Sequence, residues 1–136
     1  MEEKETFKVI LLGIVFDPKT RRILIGKRKK DQYIPKLTWA FPEGRLIHNE
    51  ELNKTLKKSI KENTGLEVQN LGAVFSKTYP EKKGLLSVYY LCEAVGGEEK
   101  VGGDFEEMKW VEPSELEIHF TTSFHPVLKE YVMNLM

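Results

Sequence analysis

The sequence predicts an α/β fold in which helices pack on the faces of a mixed β-sheet. Residues Phe7 to Phe16 form a continuous apolar run rich in β-branched side chains, which is typical of a strand buried on both faces. Leu52, Leu56 and Ile60 recur at four-residue spacing, which predicts the buried stripe of an amphipathic helix. The elements follow in the order strands, helix, strands, helix, and this order suits a mixed sheet covered by helices.

Length and composition limit the class of protein. At 136 residues, with 40% apolar residues, the chain suits a single domain with a real core, and we expect one domain over residues 1–136. Acidic and basic residues balance at 21 each, which argues against a general binder of nucleic-acid polymers. A local basic patch that holds a small phosphate-bearing ligand stays compatible with this balance.

The sequence carries no signal for export, for a membrane or for a zinc site. Cys92 is the single cysteine, so it forms no internal disulfide, and no Cys and His grouping has zinc spacing. The start, MEEKETFKVI, is acidic and lacks a secretory signal pattern. No apolar run approaches the roughly 20 residues of a membrane span. We therefore expect a cytoplasmic domain with no membrane partner, and the choice between monomer and homodimer stays open.

The first two strands are predicted to form a hairpin that ends in a basic cluster. Asp17 to Thr20 has the composition of a turn, and Arg22 to Arg28 predicts the second strand. The cluster that ends this strand consists of Lys27, Arg28, Lys29 and Lys30. A solvated strand end is the ordinary interpretation of such a run, and on this stretch alone it is favoured. The alternative is a patch that faces phosphate.

A short strand and the amphipathic helix follow. Leu37 to Phe41 alternates and predicts a strand with Trp39 and Phe41 on one face, and Gly44 is predicted in a turn. The helix is predicted to begin near Asn49 as its N-cap, and Gly65 to end it in the left-handed conformation. Glu50 and Glu51 would then lie in the first turn, where the helix dipole favours acidic side chains.

The second half of the chain predicts three strands and a C-terminal helix. The strands are Val68 to Lys77, Leu85 to Ala94 and Glu106 to Val111. Glycine pairs at 96–97 and 102–103 bracket a flexible acidic loop before the last strand. A helix start at Pro113 to Leu116 and a helix over Val127 to Asn134, led by His125 and Pro126, complete the chain.

One face of the amphipathic helix presents oxygen atoms. Ser59, Glu62 and Asn63 stand three and four residues apart, so their side chains share that face. Hard cations such as Mg²⁺ take oxygen ligands and often need only one or two carboxylates besides substrate phosphates and water. Periodicity alone nevertheless favours an ordinary exposed polar face, because one carboxylate with two neutral oxygens is a poor metal site.

The spacing of residues 44–66 resembles the Nudix box. That motif reads Gly, five residues, Glu, seven residues, Arg-Glu, an aliphatic residue, any residue, Glu-Glu, any residue, Gly and an aliphatic residue. The matching positions, without a gap, are Gly44, Glu50, Ile60, Glu62, Gly65 and Leu66. The approach Trp39 to Gly44 also resembles the family's Trp-x-Phe-Pro-Gly-Gly, with Glu43 for the first Gly. The chain therefore resembles the MutT-like Nudix hydrolase family over about residues 7 to 135.

The resemblance implies an α/β/α sandwich around a mixed sheet. Nudix hydrolases cleave the diphosphate linkage of a nucleoside diphosphate joined to another group, and they need Mg²⁺ or Mn²⁺. The box glutamates bind the metal, which polarises a phosphoryl group and lowers the pKa of the attacking water. The box arginine orients its glutamate neighbours.

The departures from the box fall on its chemistry. Lys58 replaces the arginine and lacks its planar pair of donors, while Ser59 and Asn63 replace two glutamates. Glu62, supported by Glu50, carries over as the candidate metal ligand. Because two negative charges are missing, we expect weak binding of Mg²⁺ or Mn²⁺ and a lower rate.

Other residues are candidates for completing the site. Glu106, with Asp104 and Glu107 beside it, occupies a region from which some Nudix enzymes supply a ligand or base, although an acidic loop before an edge strand explains it equally well. The candidates for neutralising phosphate charge are Lys27, Arg28 and Lys58. The candidates for contacting a ligand are His119 and His125 near Phe120 and Phe124, and the stacking rings Trp39, Tyr33 and Tyr79, with packing the ordinary interpretation for Trp39.

Two functional hypotheses follow from these residues. The first is a metal-dependent pyrophosphohydrolase that acts on a nucleotide-type substrate with a reduced ligand set, with Glu62 and Glu106 as its catalytic candidates. The second is a Nudix-fold module that has lost hydrolysis and binds a nucleotide or a protein partner. The second hypothesis is motivated by a box that keeps its scaffold residues but has few of its carboxylates.

Overall fold

The computed structural model describes residues 6–29, 39–79, 82–120 and 125–135. Its strands are β1 (Lys8–Asp17), β2 (Arg22–Arg28), β3 (Trp39–Ala40), β4 (Glu43–Leu46), β5 (Leu66–Tyr79), β6 (Lys82–Gly97) and β7 (Phe105–Val111). Its α-helices are α1 (Leu52–Thr64), α2 (Leu116–His119) and α3 (Pro126–Met133), and a 3-10 turn (Pro113–Glu115) precedes α2. The predicted order of elements is confirmed.

The described strands form one mixed sheet around β1. The order is β3-β2-β1-β6-β5, with β4 also paired to β1 and β7 to β2. Strands β1 and β6 run parallel from Lys8 opposite Leu85 to Phe16 opposite Glu93, and the remaining pairs are antiparallel. Strand β1 has a neighbour on each side and a core on each face, which is why its sequence is a continuous apolar run.

Helices cover both faces of the sheet, so the α/β/α sandwich is confirmed. On one face α1 packs against a core of Leu11, Val15, Leu24, Leu56, Ile60, Leu66, Val68, Tyr90 and Cys92. On the other face α2 and α3 pack against Leu12, Ile14, Ile23, Ile25, Phe41, Tyr89, Val111, Leu116, Leu128 and Val132. Successive residues of β1 alternate between the two cores, as the two-residue period of a strand requires.

Helix α1 buries the stripe that its periodicity predicts. Leu56 and Ile60 are fully buried, and the lysines of the opposite side are exposed. Gly65 ends the helix with a φ of 79° and donates its backbone N–H to Lys61 O at 2.8 Å. The left-handed stop is therefore confirmed.

The predicted start of α1 is wrong by two residues. Glu51, and not Asn49, occupies the N-cap position, and the first turn contains no acidic residue. Asn49 has a φ of 67°, a left-handed conformation that asparagine tolerates better than most residues, so it belongs to the turn before the helix.

The predicted turn at Gly44 is also wrong. Gly44 lies inside β4, where it pairs with Leu11 of β1. A Cβ atom at this position would overlap Ser59 Oγ on α1. The glycine is therefore required by the close approach of helix and strand, and not by a turn.

The predicted hairpin and the predicted strand at Trp39 are both present, but the bounds of the second differ. The hairpin of β1 and β2 is confirmed, whereas the strand at Trp39 ends at Ala40, and Phe41 follows it into the core beneath α2 and α3. The predictions for Lys30, Tyr33, Leu37 and Phe124 stay predictions, because these residues lie outside the described ones. His125 caps α3, because its Nδ1 accepts the Val127 N–H at 3.1 Å.

The loop between β6 and β7 is docked on the end of α1, contrary to the expectation of a flexible loop. Lys100 N donates to Thr64 O at 2.8 Å, and Gly102 N donates to Asn63 O at 3.1 Å. These bonds satisfy carbonyl groups that the last turn of a helix leaves without intrahelical partners. The loop thereby brings the start of β7 to the C-terminal half of α1.

Cys92 lies in the core beneath α1 as a free thiol. Burial raises the pKa of this thiol to about 12, so it stays protonated and weakly nucleophilic near neutral pH. Among the helices that the structure describes, none has the length and apolar character needed to cross a bilayer.

We expect Ile60→Ala to lower the free energy of unfolding by about 2–5 kcal/mol, because it leaves a cavity between α1 and the sheet. Ile118→Ala provides a matched control, since Ile118 is 79% exposed and its truncation should change stability by less than about 0.5 kcal/mol. Denaturant titration followed by circular dichroism measures both. Equal losses in the two variants would contradict the packing of α1 on this face.

Candidate active site

The carboxamide of Asn63 lies at the centre of the candidate site. Its Nδ2 donates to the backbone carbonyl oxygen of Glu43 at 3.2 Å, and its Oδ1 accepts the backbone N–H of Asp104 at 3.0 Å. The residue is 5% exposed, and it joins α1 to the start of β4 and to the β6–β7 loop. Only one orientation of the amide satisfies both partners, because a carbonyl oxygen accepts and an N–H donates.

The basic end of β2 meets the same contacts. Lys29 N donates to Asp104 O at 2.8 Å, and Arg28 Nη2 lies 3.2 Å from Glu43 Oε1. The residues Arg28, Glu43, Asn63, Asp104 and Lys29 thus form a closed ring of contacts among β2, β4, α1 and the β6–β7 loop. The structure therefore brings Arg28 and Lys29, two members of the basic cluster, next to the C-terminal half of the box helix, which sequence spacing alone did not reveal.

Glu106 lies beside Lys27. The distance from Lys27 Nζ to Glu106 Oε1 is 3.7 Å, and both side chains are substantially exposed. An exposed pair of this kind contributes little stability, so each group stays available to a charged ligand.

Glu62 presents its carboxylate to solvent from α1, one residue before Asn63. Its backbone carbonyl is covered by the β6–β7 loop, where a Cβ atom on Gly102 would overlap Glu62 O. The backbone of Glu62 is thus held by the loop, while its side chain remains accessible.

Glu50 and Lys58 line a separate groove at the start of α1. Its volume is about 330 Å³, and its lining consists of Asn49, Glu50, Glu51, Lys54, Thr55 and Lys58. Glu50 Oε2 accepts a hydrogen bond from Thr55 Oγ1 at 2.8 Å. Because α1 rises about 1.5 Å per residue, Leu52 and Glu62 are roughly 15 Å apart, and Glu50 and Glu62 lie towards opposite ends of the helix.

Trp39 lies at the sheet edge, on the face that α2 covers. It pairs with Lys27 across β2 and β3, and its ring is partly buried against the core beneath α2 and α3. Lys109 Nζ lies 4.5 Å from the centroid of the Trp39 ring, and the His119 ring meets it edge-on at 5.7 Å. His119 Nδ1 also lies 2.9 Å from Glu115 O, so His119 packs locally within α2 and against Trp39.

Glu43 takes part in the site although its sequence position predicts only a replaced glycine. Its carboxylate pairs with Arg28, and its backbone carbonyl oxygen accepts a hydrogen bond from Asn63 Nδ2. Burial raises the pKa of Tyr89, with Tyr79 as a second cause and the nearby Glu43 charge as a further one. Tyr79 Oη in turn lies 3.0 Å from Ser87 Oγ. The signal in the sequence for this role was an acidic residue, Glu43, at a position where the resembling family has glycine.

The donor set does not suit a divalent cation held by the box alone. Among the described residues there is no group of three or more His, Cys, Asp or Glu side chains that could hold a metal ion. Both ends of the Asn63 carboxamide are bonded within the protein, and Ser59 packs against Gly44. Among the described box residues of α1, Glu62 offers an accessible carboxylate, which fits a cation only when substrate phosphates supply further oxygen ligands.

We expect Gly44→Ala to lower the free energy of unfolding by about 1–3 kcal/mol, because the new methyl group would force α1 and β4 apart at Ser59. Gly96→Ala is the matched control in β6, where the added Cβ meets only Glu67 Oε2 at 3.4 Å. Thermal unfolding of both variants measures the difference. If Gly44→Ala proves as stable as Gly96→Ala, the close approach of Ser59 to Gly44 is refuted.

Comparisons with known proteins agree with this architecture. The family model of the NUDIX domain matches residues 6–134. An ADP-ribose pyrophosphatase of Methanocaldococcus jannaschii is 28% identical over 117 residues, which are 84% of this chain and 68% of that protein. An 8-oxo-dGTP diphosphatase of Buchnera aphidicola is 37% identical over 59 residues, 43% of each chain.

Solved structures share the fold. The crystal structure of a NUDIX hydrolase from Nitrosomonas europaea superposes with a TM-score of 0.77 at 19% identity, covering 96% of this chain and 72% of that one. The box residues 44–66 thus lie within a fold of the expected type, and the family model extends over nearly the whole chain. This chain belongs to the NUDIX domain family.

Proposed function

We propose that this domain hydrolyses the diphosphate linkage of a nucleotide-type compound, in which a nucleoside diphosphate is joined to another group. The observation that carries the proposal is the ring of contacts that holds the basic end of β2 against the box helix. In support, Lys27 and Arg28 end β2, and the exposed Glu62 lies on α1 one residue before Asn63, which belongs to this ring. The relatives' names, which refer to ADP-ribose and 8-oxo-dGTP, support a substrate of this class.

The proposed roles follow from charge and exposure. Lys27 and Arg28 neutralise the charge of the diphosphate, since both already face carboxylates at this edge. Trp39 pairs with Lys27 across the strands, so a base that contacts the indole would lie close to a diphosphate held by Lys27. Lys58 and Glu50 belong to the groove at the start of α1 and are proposed to contact the more distant part of the substrate.

The proposed acid–base chemistry rests on two carboxylates. Glu62 would hold Mg²⁺ or Mn²⁺ together with the substrate phosphates, and Glu106 would accept the proton of the attacking water. A cation held there would supply positive charge to polarise the phosphoryl group. Because Ser59 and Asn63 contribute no carboxylate, binding of the cation is weak, and turnover is slower than the full box would allow.

The proposal includes a single domain over residues 1–136 that works in the cytoplasm. The free, buried Cys92 suits a reducing compartment. The charge balance of the chain supports a small nucleotide as the ligand in preference to a nucleic-acid polymer.

We expect Glu62→Gln to reduce hydrolysis of ADP-ribose or 8-oxo-dGTP by on the order of a hundredfold in the presence of Mg²⁺ or Mn²⁺. Glu106→Gln should show a comparable loss of kcat. Glu130→Gln, an exposed change on α3, is the matched control and should leave the rate unchanged. Product formation followed by phosphorus NMR measures all four proteins, including the wild type.

Two outcomes would contradict the proposed hydrolysis. One is a wild-type protein that converts neither compound, nor a panel of nucleoside triphosphates and nucleotide sugars, with either cation. The other is turnover that Glu62→Gln and Glu106→Gln leave intact, since the carboxylates would then have no part in it.

A second candidate function is nucleotide binding without turnover. The specific observation in its favour is that Asn63 and Ser59, at two of the four box positions for glutamate, are engaged in contacts within the protein. Such a module retains the basic edge and the fold while lacking the carboxylates for hydrolysis.

For either function, we expect Lys27→Met to weaken binding of ADP-ribose by roughly tenfold or more, because it removes one charge from the phosphate-facing edge while keeping the apolar stem. Lys82→Met, an exposed change at the start of β6, is the matched control. Isothermal titration calorimetry in the presence of a chelator measures binding separately from hydrolysis. If Lys27→Met and Lys82→Met bind ADP-ribose with equal affinity, Lys27 does not contact the ligand.

A further inference from the structure

We infer that the Asn63 carboxamide holds β4 and the β6–β7 loop together at a position where a carboxylate would need a cation to do so. We call the contacts of Asn63 with Glu43 O and Asp104 N the Asn63 bracket. Asn63 occupies a box position at which the resembling family has glutamate. The bracket therefore makes the local structure independent of divalent cations, and exchanging the amide for a carboxylate makes it cation-dependent.

The two partners of the carboxamide have opposite roles in hydrogen bonding. Asp104 N–H is a donor, so it bonds equally well to an amide oxygen or to a carboxylate oxygen at the 3.0 Å observed. Glu43 O is an acceptor, and it lies 3.2 Å from Nδ2. Only a donor suits that second place, and the amide nitrogen supplies it.

A carboxylate at position 63 would set two acceptors against each other. Its second oxygen would face the Glu43 carbonyl oxygen without a proton between them, in a place where the side chain is 5% exposed. A buried acceptor that loses its donor destabilises the fold. A divalent cation between the two oxygens would remove the repulsion, because carboxylate and backbone carbonyl oxygens are both ligands for such cations.

The β6–β7 loop packs closely against the Asn63 side chain. A Cβ atom on Gly103 would overlap Asn63 Oδ1, and Gly103 has a φ of 53°, a conformation that glycine adopts without strain. Gly102 is likewise packed against Glu62 O. The loop therefore cannot move closer or exchange these residues freely, and the bracket fixes its distance from α1.

The test compares thermal unfolding of the wild type and Asn63→Asp, with a chelator and then with Mg²⁺ or Mn²⁺. Aspartate has the shape of asparagine, so the variant changes the donor to an acceptor and little else. We expect its Tm to fall by about 5 °C or more in the chelator and to recover substantially with either cation. The wild-type Tm should not respond to the cations.

Asn53→Asp is the matched control on the same helix, since Asn53 is exposed and the change in charge is identical. Its Tm should respond to neither the chelator nor the cations. Asn63→Ala separates the two parts of the inference, because it removes both hydrogen bonds without adding a charge. It should be destabilised and remain insensitive to Mg²⁺ and Mn²⁺.

Three results would overturn the inference: an Asn63→Asp variant as stable as the wild type in the chelator, a loss of stability that neither cation reverses, or a wild-type Tm that rises with cation as much as that of the variant. If Asn63→Asp does not fold in the chelator, refolding it with Mn²⁺ gives the answer, since recovery of the folded state supports the bracket and failure refutes it. These measurements need no substrate, so they distinguish failure of the bracket from failure of the proposed hydrolysis.

Discussion

The candidate site depends on one buried amide that bonds in two directions. Asn63 reaches β4 through Nδ2 and the β6–β7 loop through Oδ1, and both contacts cross between elements that are distant in sequence. Because Lys29 and Arg28 contact Asp104 and Glu43, this amide also links the basic end of β2 to α1. Residues of the candidate site on β2, β4, α1 and the β6–β7 loop are thus joined by contacts inside the protein.

The two cores hold the elements that the Asn63 contacts join. Strand β1 is packed on both faces, so α1 is held against one side by Leu56 and Ile60 while α2 and α3 cover the other. Gly44 lets α1 approach β4 closely enough for Ser59 to lie against the strand. Close packing of this kind transmits the position of the helix axis to the polar residues at its end.

The departures from the Nudix box have structural consequences beyond lost charge. The neutral amide at position 63 donates to the Glu43 carbonyl oxygen, whereas a carboxylate there could accept only the Asp104 N–H. Glu43, in place of a glycine, adds an ion pair with Arg28 and a negative charge near Tyr89. At these positions the chain has hydrogen bonds and an ion pair inside the protein.

The sequence by itself determined the class of fold, the central strand, the stripe of α1 and its glycine stop, because these depend on local periodicity and backbone preference. It misassigned Asn49 and Gly44, since a left-handed turn and a close helix–strand approach are set by packing. Only the tertiary structure decided the partners of Asn63, which lie 20 and 41 residues away, and the meeting of Glu106 with Lys27. Contacts over such separations depend on strand register and helix docking, which no local pattern encodes.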